Sequence, residues 1–129
     1  MRLLLDTHAL LWLLDGDDRI GGATRDAILD AANEVFVSVV TFFELAIKIR
    51  IGKLANDLGE LMAATERAGL AVLALDPSHC QRMATIPEVK NHRDPFDILL
   101  VAQAIAEDMV LVTDDRFASQ YGARTRTCL

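Results

Sequence analysis

The segment RLLLDTHALLWLL, residues 2–14, changes its hydrophobic pattern at a single acid. The run 2–6 has the composition of a short buried strand, and the run 7–14 has that of a helix ending at Asp15-Gly16. A strand that passes directly into a helix is the repeating unit of α/β proteins. The segment therefore predicts an α/β fold with the carboxylate of Asp6 at the end of its first strand.

Strand-like and helix-like segments continue to alternate along the chain. Further strands are predicted at 35–39, 71–75, 109–112 and 124–128, and further helices at 24–32, 41–51, 57–68, 77–85, 95–107 and 115–121. This order predicts a central, mostly parallel sheet flanked by helices. Ligands of such sheets bind at the carboxyl ends of the strands.

The composition is that of one folded domain. The chain has 129 residues, of which 52% are hydrophobic, so we expect a single domain spanning 1–129. Asp6 interrupts the apolar start where a signal peptide has its apolar centre, and no apolar run is long enough to cross a bilayer. These features predict a cytoplasmic protein without membrane association. Cys80 and Cys128 lack the spacing of a zinc site, and no disulfide is expected.

The net charge of −6 argues against a protein that holds nucleic acid by a basic surface alone. That objection weakens if some acids are metal ligands, because bound cations reverse the local field. The basic residues form two local groups, Lys48 with Arg50 and Lys53, and Lys90 with Arg93. Solvated helix ends and loops explain each group without a function.

Acidic residues stand where predicted strands end or predicted helices begin, and each has a purely structural explanation. Asp6 fits a helix N-cap, and Glu44 fits a capping box with Thr41. Asp97 and Asp115 also lie at helix starts, where a negative charge favours the helix dipole.

Asp97 and Asp115 each have a second acid nearby, and a helix start needs only one acid as its cap. Asp94 caps a helix that begins at Pro95, which leaves Asp97 spare, and Asp114 stands beside Asp115. Together the caps place at least four carboxylates at one sheet edge, where repulsion raises their pKa values unless cations lie between them. Carboxylate oxygens bind Mg²⁺ or Mn²⁺, which assist phosphodiester hydrolysis. The joint arrangement favours a metal site.

Four stretches occur in an order that resembles a known family. They are residues 3–12, 37–45, 92–104 and 111–115. The chain resembles a PIN-domain ribonuclease, in particular a VapC-type toxin of a type II toxin–antitoxin pair. By position, the family's acidic quartet falls on Asp6, Glu44, Asp97 and Asp115, with Asp94 and Thr113 beside the site.

The resemblance implies a metal-dependent ribonuclease. Asp6, Asp97 and Asp115 would hold Mg²⁺ or Mn²⁺, and Glu44 would complete a second site or orient water. Hydrolysis would leave a 5′-phosphate, with no need of a histidine base at positions 8, 79 or 92. The implied partners are an RNA substrate, a cognate antitoxin and a second copy of the chain.

Two departures from the family pattern concern the site. Ile98 stands where relatives often have Arg, which weakens one expected phosphate contact. The doubled Asp114-Asp115 leaves the fourth acid open by one residue, and the Thr-x-Asp spacing from Thr113 favours Asp115.

Three other classes of protein share parts of the pattern. A phosphoacceptor receiver domain is also small and α/β, but it uses a late lysine, and no lysine follows Lys90. A phosphatase with an Asp-x-Asp loop would need an acid where His8 stands. A catalytically inactive binding module is disfavoured because all four acids are present.

The predicted helix 41–51 is apolar on two sides. Positions 42, 45, 46 and 49 form one face, and positions 43, 47 and 51 form another. A helix of this kind must be covered on both sides. We expect one face to pack on the sheet and the other to bind a partner, with Leu11 or Trp12 beside it.

Overall fold

The computed structural model describes residues 1–88 and 94–129. Within these ranges it has five strands: β1 (Arg2–Leu5), β2 (Glu34–Ser38), β3 (Ala71–Leu73), β4 (Val110–Val112) and β5 (Thr125–Arg126). The strands form one sheet in the order β3-β2-β1-β4-β5, and every neighbouring pair is parallel. The predicted parallel α/β sheet is confirmed, with β1 at its centre.

Helices connect the strands. They are α1 (Thr7–Asp15), α2 (Gly22–Leu29), α3 (Val39–Arg50), α4 (Leu58–Arg67), α5 (Pro77–Thr85) and α6 (Pro95–Ala106), followed by a 3₁₀ helix at Ala118–Tyr121. Among the described residues, no helix has the length and apolar character needed to cross a membrane.

The alternation of side chains along β1 divides the core into two layers. Leu3 and Leu5 belong to the layer that contains Leu10 of α1 and Leu45 of α3. Leu4 points to the opposite face and joins a second layer built mainly from α6, β4 and the 3₁₀ helix. All three leucines of β1 are fully buried. The sheet is therefore covered on both faces, as a parallel sheet requires.

The start of α3 differs from the predicted one. Ser38 is the N-cap, and its Oγ accepts a hydrogen bond from the backbone N–H of Val40 at 3.0 Å. The helix thus begins two residues before Thr41, which lies inside it, so the predicted capping box between Thr41 and Glu44 is wrong. The apolar pattern could not show this, because Val39 is equally suited to the end of a strand.

Two other helices differ from their predicted bounds by two or more residues, and β3 and β5 are shorter than the strands predicted at 71–75 and 124–128. The helix predicted at 24–32 lies at Gly22–Leu29 with Gly21 as its N-cap. The helix predicted at 115–121 is only a 3₁₀ helix at Ala118–Tyr121. Its expected first turn is instead a side-chain turn, in which Asp115 Oδ1 accepts from the N–H of Phe117 at 2.8 Å.

A buried polar chain joins α3, α5 and α6. Ser38 Oγ donates to Gln103 Oε1 at 2.5 Å, and Gln103 Nε2 lies 3.2 Å from His79 Nδ1. The other ring nitrogen of His79 lies 2.9 Å from Glu107 Oε1. Ser38, Gln103 and His79 are fully buried, so their hydrogen bonds fix α3 relative to α6. These two helices carry Glu44 and Asp97.

Candidate functional site

Three of the four acids predicted from the sequence line one cavity at the carboxyl edge of the sheet, and Glu44 is not among its lining residues. Asp6 follows β1, and Asp115 follows the neighbouring strand β4 by three residues. Asp97 lies in the first turn of α6. These three residues line one small cavity together with Thr113, over an apolar floor of Leu100, Val101, Leu111 and Ala118. The cavity volume is ≈ 10 Å³, about that of one water-sized sphere.

Asp6 is both a helix cap and a wall of this cavity. Its Oδ1 accepts from the backbone N–H of Ala9 at 2.7 Å, which confirms it as the N-cap of α1. Burial raises the pKa of the Asp6 carboxyl, and hydrogen bonds from Thr113 and Ala9 partly offset that rise. The cap and the site are therefore not exclusive explanations of this residue.

The other predicted site acids all affect the pKa of the Asp97 carboxyl. Burial, followed by the negative charges of Asp94, Asp115, Glu44 and Asp6, raises the pKa of its carboxyl to about 7. Asp94 serves as the N-cap of α6, because its Oδ1 accepts from Phe96 N–H at 2.9 Å and from Asp97 N–H at 3.4 Å. Asp94 is exposed, whereas Asp97 is partly buried and lines the cavity.

Glu44 lies in the middle of α3, and both of its carboxylate oxygens are engaged. Oε1 accepts from Thr7 Oγ1 at 2.7 Å, and Oε2 lies 2.8 Å from Lys48 Nζ. Thr7 Oγ1 also lies 3.3 Å from Thr41 Oγ1. Glu44 is 5% exposed, so the lysine charge compensates a buried carboxylate.

Asp114 and Asp115 have different surroundings. Asp114 is exposed, and its Oδ1 accepts from the backbone N–H of Cys128 at 2.8 Å, which holds the C-terminal segment. Its charge nevertheless raises the pKa of Asp6, while that of Asp115 raises the pKa of Asp97. Only Asp115 of the pair lines the cavity, and its backbone N–H is held by Thr113 Oγ1 at 2.9 Å.

Other residues singled out in the sequence lie apart from the cavity. The ring of His8 stacks on Trp12 with centroids 5.7 Å apart. Ile98 is partly buried and packs against the core layer of α6. Lys90, His92 and Arg93 lie outside the described residues. Thr7 and Lys48 contact Glu44 without having been predicted to do so, although the i,i+4 spacing of Glu44 and Lys48 is a recognisable signal.

The donor set at the cavity consists of oxygen atoms: the carboxylates of Asp6, Asp97 and Asp115, with the hydroxyl of Thr113 beside Asp6. Such donors suit hard divalent cations. Among the described residues, however, no three Asp, Glu, His or Cys side chains stand close enough to hold one ion. The chemistry of the residues fits a cation, and coordination requires the carboxylates to approach one another.

The protein is an α/β domain whose candidate site lies at the ends of its strands. Its parallel sheet, with an acid-lined cavity at the carboxyl edge, defines this class. The PIN domain family model matches residues 3–123. The chain therefore belongs to the PIN domain family, as its sequence motifs predicted. No curated protein sequence matches it.

Solved structures share this fold along nearly the whole chain. VapBC2 from Rickettsia felis, bound to a DNA fragment from its promoter, matches with a TM-score of 0.70 and 15% identity over 98% of each chain. VapBC-1 from nontypeable Haemophilus influenzae matches with a TM-score of 0.70 and 22% identity over 99% of this chain and 98% of that one. DNA-bound VapBC from Salmonella typhimurium matches with a TM-score of 0.69 and 19% identity, over 100% and 99%.

Proposed function

We propose that this chain is a divalent-cation-dependent ribonuclease that acts as the toxin of a toxin–antitoxin pair. The observation that carries the proposal is the convergence of Asp6, Asp97 and Asp115 on one cavity. Membership of the PIN domain family and the fold shared with VapBC structures support it.

Asp6, Asp97 and Asp115 are the residues that would hold Mg²⁺ or Mn²⁺. Burial, and then the charges of the neighbouring acids, raise the pKa of Asp97, and a bound cation would offset both effects. A divalent cation supplies Lewis-acid activation of water and neutralises charge on the phosphate. The apolar floor of the cavity limits competing water and strengthens these electrostatic interactions.

The protein's own groups position the reacting water and the acids. The Ala9 N–H and the Thr113 hydroxyl hold the Asp6 carboxylate from two sides. Thr7 and Lys48 hold the two carboxylate oxygens of Glu44, whose remaining acceptor sites would orient a water for in-line attack on phosphorus. The leaving oxygen is then the 3′-oxygen of the preceding nucleotide, so the downstream product carries a 5′-phosphate.

The second apolar face of α3 is proposed as the partner surface. Phe43, Ile47 and Ile51 are 61%, 38% and 58% exposed, whereas Phe42 and Leu45 on the first face are buried in the core. An exposed apolar row of this kind marks protein interfaces. We propose that this surface forms the homodimer. We also propose that a segment of the antitoxin blocks the acidic site. The protein would act in the cytoplasm, where the RNA substrate is found.

RNA hydrolysis by the purified chain is expected to need Mg²⁺ or Mn²⁺, because the acids supply only oxygen ligands. Gel analysis should show cleavage with either metal, none in EDTA, and recovery when metal is restored in excess. End-group analysis should find 5′-phosphates. Cleavage that persists in EDTA, or products with 2′,3′-cyclic phosphates, would replace this mechanism with attack by the RNA 2′-hydroxyl.

A further inference from the structure

A groove runs beside the acidic cavity, between the second half of α3 and the start of α6. Its volume is ≈ 370 Å³, within the usual range for small-ligand sites of about 300–1,000 Å³. Its lining residues are Glu44, Ile47, Lys48, Ile51, Lys53, Asp94, Pro95 and Phe96. The charges of Glu44 and Asp94 also raise the pKa of Asp97, so the groove adjoins the acid cluster.

One wall of the groove carries two lysines. Lys48 Nζ lies 2.8 Å from Glu44 Oε2, and its side chain is 36% exposed. Lys53 is exposed, and its backbone N–H donates to the carbonyl of Lys48 at 2.8 Å, which links the two residues at the end of α3. The lining also contains the carboxylates of Glu44 and Asp94, so the lysine side of the groove, rather than the groove as a whole, favours an anionic group.

The opposite wall, at the start of α6, carries an aromatic ring. Phe96 is partly buried, and its ring lies 5.9 Å from that of Phe43 at an angle of 50°. Ile47 and Ile51 line the groove from the α3 side, where it borders the apolar row proposed above as the homodimer surface. Aromatic side chains beside cations are the combination with which proteins bind single-stranded nucleic acids, since bases stack on the rings and phosphates contact the charges.

We propose that this groove binds one nucleotide of single-stranded RNA next to the cleaved phosphodiester. Lys48 and Lys53 contact its phosphate, and Phe96 receives its base. An ammonium group donates three hydrogen bonds, so Lys48 can retain Glu44 while it contacts a phosphate oxygen. This inference rests on the proposed function, because it places the substrate relative to the acids.

The test is RNA binding in the full chain carrying Asp97→Asn, so that bound RNA is not cleaved. Fluorescence anisotropy of a labelled single-stranded oligoribonucleotide is followed over a range of salt concentrations. Lys53→Ala should weaken binding and reduce the slope of log affinity against log salt by about 0.7, the value for one phosphate contact on single strands. Phe96→Leu should weaken binding by about 5- to 100-fold through lost stacking.

Two choices keep the experiment interpretable. Lys53→Ala changes an exposed side chain, whereas a neutral residue at position 48 would leave the buried Glu44 carboxylate uncompensated, so Lys48 is kept in every variant. Arg50→Ala is the matched control, because Arg50 is an exposed cation of the same helix that does not line the groove. It should lower RNA affinity less than Lys53→Ala does.

Unchanged RNA affinity and salt slope in Lys53→Ala and Phe96→Leu would overturn the inference. It would also be overturned if these variants bind RNA normally but lose self-association or antitoxin binding, since the groove would then be a protein interface. Failure of the unaltered chain to cleave RNA with Mg²⁺ or Mn²⁺ would instead overturn the proposed function. Cleavage by that chain, combined with normal binding by the groove variants, would overturn the groove alone.

Discussion

Asp97→Asn is expected to reduce RNA cleavage by about 10²–10³-fold, the scale seen when one preorganised electrostatic group is removed from an active site. The same change should make the metal-free protein more stable at about pH 8, because it removes a carboxylate that burial and four neighbouring acids disfavour. Loss of activity with a gain of stability distinguishes a site acid from a structural one. Nuclease assays and thermal unfolding in EDTA measure the two effects.

The pH dependence follows from the direction of the shift. The pKa of Asp97 rises from an ordinary 3.8 to about 7 in the folded chain, so the folded state holds its proton more tightly than the unfolded state does. The unfolding free energy of the parent should therefore fall as pH rises from about 4 to 7 and then level off. Asp97→Asn does not lose stability in this range. Its unfolding free energy should therefore equal that of the parent near pH 4 and exceed it by the full amount above pH 7.

The full pKa difference would correspond to about 4 kcal/mol at 1.36 kcal/mol per pH unit. Because Asp97 is partly exposed, solvent screening should reduce the gain to about 1–2 kcal/mol. Asp57→Asn is the matched control, since Asp57 is an exposed N-cap whose Oδ1 accepts from Glu60 N–H at 3.0 Å. It should leave cleavage unchanged. Retained cleavage in Asp97→Asn would remove Asp97 from the site.

Phe43→Asp combined with Ile47→Asp should give a folded protein with weakened association. Both side chains are exposed in the single chain, at 61% and 38%, so charges there do not disrupt its core. A hot-spot residue at the centre of an interface contributes about 2 kcal/mol or more. With one such residue among these two, self-association or antitoxin binding should weaken by at least about 30-fold. Light scattering measures self-association, and titration with the antitoxin measures antitoxin binding.

The control for this experiment places the same charges on other exposed apolar residues. Leu29 of α2 and Met62 of α4 are 64% and 43% exposed. Leu29→Asp combined with Met62→Asp should associate as the parent does. If the Phe43 and Ile47 variant also matches the parent in both assays, this face of α3 is not an interface.

Much of the fold follows from local sequence patterns. Gly16, with φ +65°, ends α1 at the predicted place, because a residue without Cβ adopts the left-handed conformation readily. Asp57 and Asp76 are the N-caps of α4 and α5, although neither was predicted as a cap. The start of α3 was misplaced because Ser38 and Thr41 are both good caps, and packing against the sheet decides between them.

The sequence pattern indicated which acids lie near one edge of the sheet but not the contacts that hold them. Asp6, Asp97 and Asp115 stand at strand ends and helix starts, which parallel topology brings to one edge. The hydrogen bond from Thr7 to Glu44 joins residues 37 positions apart, and Cys128 binds Asp114 across 14 positions. Such pairings depend on how α1, α3 and the C-terminal segment pack, and no local pattern encodes them.

Divalent cation binding by the acid cluster is the central claim, and calorimetric titration of Mn²⁺ into the purified chain tests it most directly. The parent should bind Mn²⁺ with release of protons near neutral pH, because Asp97 is partly protonated there. Asp97→Asn should lose this binding, while Asp57→Asn should retain it. A parent that binds no Mn²⁺, or an Asp97→Asn variant that binds it as the parent does, would contradict the account.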